Sequence, residues 1–369
     1  MADLLTPQEK LVLALRELYE SCGYTRFPMR RFEEYQLYLE NKSFLTSERV
    51  LSFTDVSGKL MALKPDVTLS IVKHYRPENA AVEKLYYNES VYRASPTDHA
   101  FTEIEQIGVE MLGEVDLYGA CEVLALAVQS LRAVGLPYVM ELSHMGLTGS
   151  LMEDAALTPH QRETAFSLIR QKNAHELTAA LKAWQIAPFY AQRIARLPGL
   201  SGEVESTLEQ AAELAVGAEM KQAIGELSKL YGVLDSLGLA DCLRLDFSIA
   251  NDLDYYNGLV FQGYVEGAPR AVLSGGRYDR LMSRLGKDGA GLGFALYLDE
   301  LTRLLATNEA GTEDLLVLYS PGDDPAKVFQ AAQALRRQGA RVLTATRVPS
   351  SCRAGKILRY SSDGLKEAE

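Results

Sequence analysis

Between residues 157 and 239 the sequence is rich in Ala, Leu, Glu and Gln and carries almost no β-branched run, while strand-like segments lie on both sides of it. Such a chain must close one strand-built core around a helical insertion. Two helix starts are marked inside the stretch, Thr158-Pro159-His160-Gln161 and Asn173-Ala174-His175-Glu176. Each sets a capping residue three positions before Gln or Glu. Strands are expected before the insertion at 51–54, 61–63, 84–87 and 104–111, with a polar turn at 55–59. They resume at 242–249, 259–265 and 271–274, and a glycine-led strand passes into a helix across 292–305.

The N-terminus opens on a helix. Thr6 is placed as N-cap, Pro7 at the first helical position and Glu9 to close a capping box. Leu11, Leu15 and Leu18 then share one face, and Gly23 terminates it. A second long helix is predicted over 116–134, ended by Gly135. Residues 308–313 read as a linker. Beyond them a strand at 315–319, a helix near 325–338 and a strand at 341–346 make a βαβ-like unit. The polar stretch 361–369 is expected to fray. The 369 residues exceed what one hydrophobic core usually serves, so two or three domains are expected.

Composition excludes several classes. With 47% hydrophobic and 24% charged residues the chain is globular in type. No apolar run approaches the roughly 20 residues that cross a bilayer, and the first residues lack the basic and apolar segments of a secretion signal. The four cysteines are scattered singly, which fits reduced thiols in a cytoplasm better than a disulfide frame or zinc site. The five histidines are equally dispersed, so no metal is expected. The formal charge of −11 disfavours tRNA, whose phosphates ask for Lys and Arg. There is no phosphate-binding Gly-x-x-x-x-Gly-Lys loop and no His-Glu-x-x-His motif. Gly289-Ala290-Gly291-Leu292-Gly293 departs from the dinucleotide fingerprint by one residue and reads as glycines permitting close packing.

Five segments carry the functional information, the second of them opened by Tyr92-Arg93 and closed by Glu105–Glu110. Phe53-Thr54-Asp55 leads into Ala62-Leu63-Lys64-Pro65-Asp66-Val67-Thr68. Tyr92-Arg93 and Glu105-Gln106-Ile107-Gly108-Val109-Glu110 follow. Then come Asn251-Asp252-Leu253-Asp254-Tyr255-Tyr256-Asn257-Gly258, Ser274-Gly275-Gly276-Arg277-Tyr278-Asp279, and Gly293-Phe294-Ala295-Leu296-Tyr297-Leu298-Asp299-Glu300-Leu301. In this order they resemble the class II core of histidyl-tRNA synthetases over about the first 310 residues. Any one would be weak; collinear, they are specific. The resemblance implies an α+β class II synthetase-like fold, an antiparallel sheet flanked by helices. It divides the chain into a synthetase-like domain, 1–311, with its helical insertion at about 155–238, and a truncated anticodon-binding-like α/β segment, 312–369.

The resemblance also implies a histidine pocket. Asp66, Thr68 and Gln106 would hold the ammonium group, and Glu110 and Tyr256 the imidazole nitrogens. With Tyr255 beside Tyr256, and Arg93 or backbone amides left to receive the carboxylate, the expected set is Asp66, Thr68, Arg93, Gln106, Glu110, Tyr255 and Tyr256. A buried charge needs such partners. Asp66 is one methylene shorter than the glutamate usual in the family.

The nucleotide side departs from the pattern. Asn251 stands where those synthetases carry an arginine, Glu300 stands at the third motif's arginine, and Tyr297 replaces a glycine where adenine would stack. The loop 94–102 is shortened and stripped of arginine beyond Arg93. Gripping a triphosphate needs those cations, and Glu300 would repel ATP. Retention for histidine with loss for ATP resembles the regulatory subunits of ATP phosphoribosyltransferase. That likeness implies no catalysis and no cofactor. It further implies a dimer assembled with a short catalytic chain, L-histidine as feedback ligand, the first step of histidine biosynthesis, and a cytoplasmic setting. A divergent working histidyl-tRNA synthetase, or a regulatory module for another protein, are the alternatives. Structural roles compete locally: Asp254-Tyr255-Tyr256 as a buried strand, Arg277 in a salt bridge, Arg93 in a core ion pair.

Overall fold

The computed structural model describes residues 5–41, 45, 50–76, 81–94, 100–249, 255–306, 314–349, 354–361 and 364–368. Asn251, Asp254, the loop residues 95–99 and the expected linker 308–313 therefore lie outside the described residues. By internal contacts the chain divides into Leu11–Leu304 and a second unit made of Met1–Lys10 with Leu305–Glu369.

The first helix, Pro7–Ser21, starts as its sequence dictates: Thr6 N donates to Glu9 Oε2 (2.8 Å) and Glu9 N to Thr6 Oγ1 (3.2 Å). Leu11, Leu15 and Tyr19 are its buried face, Leu18 is half-buried, and Gly23 leaves the helix at φ +82°. In the larger unit the strands in chain order are β1 (Thr25–Arg26), β2 (Phe32–Glu34), β3 (Ser52–Thr54), β4 (Leu60–Leu63), β5 (Val82–Ala94) and β6 (Phe101–Gly113). After them come β7 (Tyr138–His144), β8 (Ser201–Gly202), β9 (Leu243–Asp246), β10 (Leu259–Val265), β11 (Leu273–Arg277) and β12 (Ala290–Tyr297). Strands β2, β4 and β3 form a small sheet. The other nine form one large sheet in the order β1-β5-β6-β12-β11-β10-β7-β9-β8.

That sheet is antiparallel at its centre, with parallel pairs among the described residues at β1·β5 and β7·β9. Parallel neighbours need a long crossover. For β7 and β9 the helices between Met145 and Ser236 supply it. The insertion is not purely helical, because Ser201–Gly202 reaches the sheet edge and pairs with Asp246 and Leu245. Thr158 and Gln161 complete the capping box read from sequence, and Asn173 caps through its side chain. Strands β5 and β6 run 13 residues each, well past the segments expected at 84–87 and 104–111. Alternation explains the difference. On β6, Ile107, Val109 and Met111 are buried in an apolar core, while Gln106, Gly108 and Glu110 point to the other face.

The second unit holds β13 (Asp314–Leu318), a helix at Pro325–Arg337 capped by Asp324, β14 (Arg341–Ala345), β15 (Lys356–Ser361) and β16 (Gly364–Glu367). Strands β13 and β14 pair in parallel across the helix, the expected βαβ unit. The stretch expected to fray instead forms β16, an antiparallel partner of β15 from Leu358↔Glu367 to Ser361↔Gly364. Backbone pairing there outweighs its polar composition.

Candidate functional site

The polar face of β6 and the strands beside it floor a cavity of about 680 Å³. Asp66, Thr68, Arg93, Gln106, Glu110, Tyr255 and Tyr256 all line it, so the structure brings together every residue of the expected histidine set. They come from four places: the turn into the Thr68–His74 helix, the end of β5, β6, and the segment before β10.

Glu110 is at the centre of the floor and 2% exposed. Its Oε1 accepts from Thr68 Oγ1 (2.6 Å) and its Oε2 from Tyr278 OH (2.5 Å). Burial, helped by the nearby Asp66 charge, pushes its carboxyl up to about 8 against the opposing pull of the two hydroxyls. The floor is shaped by glycines. Residues Glu110, Gly293 and Gly276 stand opposite one another across three strands. A Cβ on Gly293 would lie 1.9 Å from Glu110 Oε2, one on Gly276 2.6 Å from the Tyr256 ring, and one on Gly291 2.1 Å from the Tyr278 ring. The glycine cluster set aside as no dinucleotide loop is thus what lets Glu110 and Tyr278 reach each other.

Asp66 accepts from the Leu69 amide through Oδ1 (2.8 Å), and its Oδ2 lies 3.7 Å from Arg93 Nη2. Burial raises the Asp66 carboxyl, opposed by Arg93 and by the Leu69 and Thr68 amides. Arg93 Nε also donates to Pro65 O (2.8 Å), so with Asp66 beside Nη2 the guanidinium is partly committed to the core ion pair that sequence offered as its competing role. Gln106 is 3% exposed, and its Oε1 has no hydrogen-bond partner among the described residues. A buried acceptor left unpaired costs free energy, so the position asks for a donor. Tyr255 and Tyr256 meet edge to face at 4.6 Å, Tyr278 stands 6.3 Å from Tyr255, and burial keeps all three hydroxyls protonated.

Other parts of the lining differ in kind. Tyr297, across from Gln106 in the β6·β12 register, lines the cavity with Arg170, Gln262, Tyr264, Arg270 and Ser274. Glu300, on the helix after β12, pairs with Arg270 (Nε–Oε1 3.0 Å). The pair tempers the bare repulsion expected of Glu300, but a carboxylate still donates nothing to a phosphate. Arg277 faces away, donating to Asp279 Oδ2 (2.8 Å) and lining another recess, so its salt-bridge role holds. Among the described residues no cluster of three His, Cys, Asp or Glu could hold a metal, and no helix is long and apolar enough to cross a membrane. Several lining residues escaped the sequence, Gln262, Tyr264 and Arg270 among them. Tyr278 lay inside a recognised segment without a role, and Arg170 lay in the helical stretch with no local signal at all.

The histidyl-tRNA synthetase family model matches residues 4–301. An ATP phosphoribosyltransferase regulatory subunit from Moorella thermoacetica is 30% identical over 356 residues, 93% of this chain and 90% of its own length. The crystal structure of an ATP phosphoribosyltransferase regulatory subunit/histidyl-tRNA synthetase from Bacillus halodurans superposes with a TM-score of 0.79 at 25% identity, covering 97% of this chain and 96% of that one. A chain of an ATP phosphoribosyltransferase complex from Thermotoga maritima shares the fold, with a TM-score of 0.62, 20% identity and coverage of 80% of this chain and 98% of that one.

Proposed function

Because this chain belongs to the ATP phosphoribosyltransferase regulatory subunits, within the histidyl-tRNA synthetase family, we propose that it is a non-catalytic subunit that senses L-histidine in the β6 cavity. In this reading it partners a short catalytic phosphoribosyltransferase chain and sets that chain's activity and feedback inhibition at the first step of histidine biosynthesis. One observation carries the reading. The cavity keeps buried acceptors at Gln106, Glu110 and Asp66, yet meets the nucleotide side with Tyr297 and the Arg270–Glu300 pair. A histidine has the matching donors: its ammonium for Asp66 and Gln106, an imidazole N–H for Glu110, with Tyr256 at the second ring nitrogen. Binding shifts the complex by its differential affinity for active and inhibited arrangements. The relatives' naming as regulatory subunits supports the partner, and a cytoplasmic dimer of this chain within the hetero-oligomer fits that setting.

Reconstitution tests it. Adding this chain to a short-form ATP phosphoribosyltransferase is expected to raise its turnover and to make it inhibitable by histidine, and the chain alone to give no histidine-dependent ATP–pyrophosphate exchange. Unchanged turnover and histidine response would refute the regulatory role; exchange activity would mark a working synthetase.

A further inference from the structure

We propose that Arg170, carried by the helical insertion, receives the carboxylate of the amino acid bound in the cavity; this rests on the histidine reading above. An α-amino acid brings an anion as well as its ammonium and side chain, and a guanidinium is a matched bidentate partner for that anion. Among the described residues three cations line the cavity: Arg93, Arg170 and Arg270. Arg93 spends Nε on Pro65 O and approaches Asp66 with Nη2, and Arg270 is paired to Glu300. Arg170 alone of the three makes no side-chain ion pair or hydrogen bond among the described residues.

Its place is built. Arg170 closes the Pro159–Arg170 helix, and the turn after it is pinned to the sheet. Two residues on, Lys172 adopts φ +54°, and its Nζ donates to Asp246 Oδ2 (2.8 Å) at the end of β9. Asp246 is itself fixed by Ser248 N (2.8 Å) and Oγ (2.6 Å) at its other oxygen. The base of Arg170 is held, while its exposed guanidinium borders both the cavity and an adjoining recess of about 480 Å³ shared with Gln262 and Tyr264. The ammonium and imidazole partners sit on the sheet side and Arg170 on the insertion. A ligand with a carboxylate therefore ties the two together, and one without it does not.

Titration calorimetry on the full chain, with L-histidine and with histidinol (a neutral hydroxymethyl group in place of the carboxylate), separates the outcomes. Wild type is expected to prefer histidine by about tenfold or more, the worth of one charge-assisted contact. Arg170→Ala should bring histidine down to histidinol's affinity and leave histidinol within about twofold, since only the carboxylate contact is lost. Arg170→Lys should restore part of the preference, because a point charge lacks the bidentate fork. Histidine, and not histidinol, should slow amide exchange in the last turn of the Pro159–Arg170 helix. A preference that survives Arg170→Ala, or that is erased by Arg270→Ala instead, overturns the assignment. A wild-type chain that binds no histidine brings down the histidine reading and this inference with it, whereas tight binding indifferent to Arg170→Ala brings down this inference alone.

Discussion

At the floor of the cavity Glu110 takes two hydroxyl donors under glycines whose neighbours leave no space for a side chain. At the rim, Arg270 is 74% exposed and makes a single ion pair with Glu300. The floor is set by strand register: moving β12 by one residue against β6 would turn Gly293 away from Glu110 and unmake the site. The rim is set by side chains at an open edge, where exchanging one residue for another costs the fold little. A site built this way can change the chemistry at its mouth while keeping recognition at its base. Cation loss beside a retained acid is what the sequence shows at positions 300 and 110.

The sharpest way to break the contrast is Gly293→Ala. The added methyl meets Glu110 Oε2 at 1.9 Å and the Val109 carbonyl at 2.3 Å, and backbone on the neighbouring strand cannot yield. A loss of about 3 kcal/mol or more is expected by denaturant unfolding, the range of severe overpacking. Gly232→Ala is the control. It sits in the Ala218–Ser236 helix with nothing within 4 Å of the new methyl, and should stabilise by about 0.5 kcal/mol. If the two variants melt alike, the floor is not register-locked.

A middle-sized effect belongs to Glu110. Its carboxyl is raised from 4.5 to about 8, so between those values the folded chain holds a proton that the unfolded chain has released. Stability should therefore fall as pH climbs across that window and level off above it, by a few kcal/mol in all. Glu110→Gln removes the titration. Calorimetric melting at pH 5, 6.5 and 8 should show wild type losing stability more steeply than the variant, so the variant gains on wild type toward pH 8. Parallel pH profiles would show that Glu110 does not feel its burial. The same variant should weaken histidine at least about tenfold at pH 8, through loss of a charged acceptor.

Much of this is legible in the sequence, because its causes are local. The Thr6–Glu9 and Thr158–Gln161 boxes are written in four residues each, and both form. Gln106 and Glu110 sit four apart, an even spacing that puts both on one strand face. What escaped has distant causes. Nothing near Ser361 says that Gly364–Glu367 will find β15. The length of β5 is hidden because Asn88, Glu89 and Ser90 look like a turn, yet they pair with β6 from Ile107 to Glu105. Arg170 is one arginine among many on helical surfaces, and only the crossover from β7 to β9 carries it to the cavity.

The smallest expected effect is at Glu300, and it tests whether the mouth can vary freely. Glu300→Gln breaks a pair whose arginine is mostly in water, so stability should change by no more than about 0.5 kcal/mol. Histidine affinity should hold within about twofold, since the acceptors of the floor are untouched. Glu300→Arg should likewise leave histidine binding intact and still yield no ATP binding by titration. One restored cation faces Tyr297 in the cavity and an unpaired Arg270, and position 251 remains asparagine. A tenfold change in histidine affinity from either substitution would mean that rim and floor form one coupled network. ATP binding by Glu300→Arg alone would mean that a single residue, and not a distributed loss of cations, separates this chain from a nucleotide site.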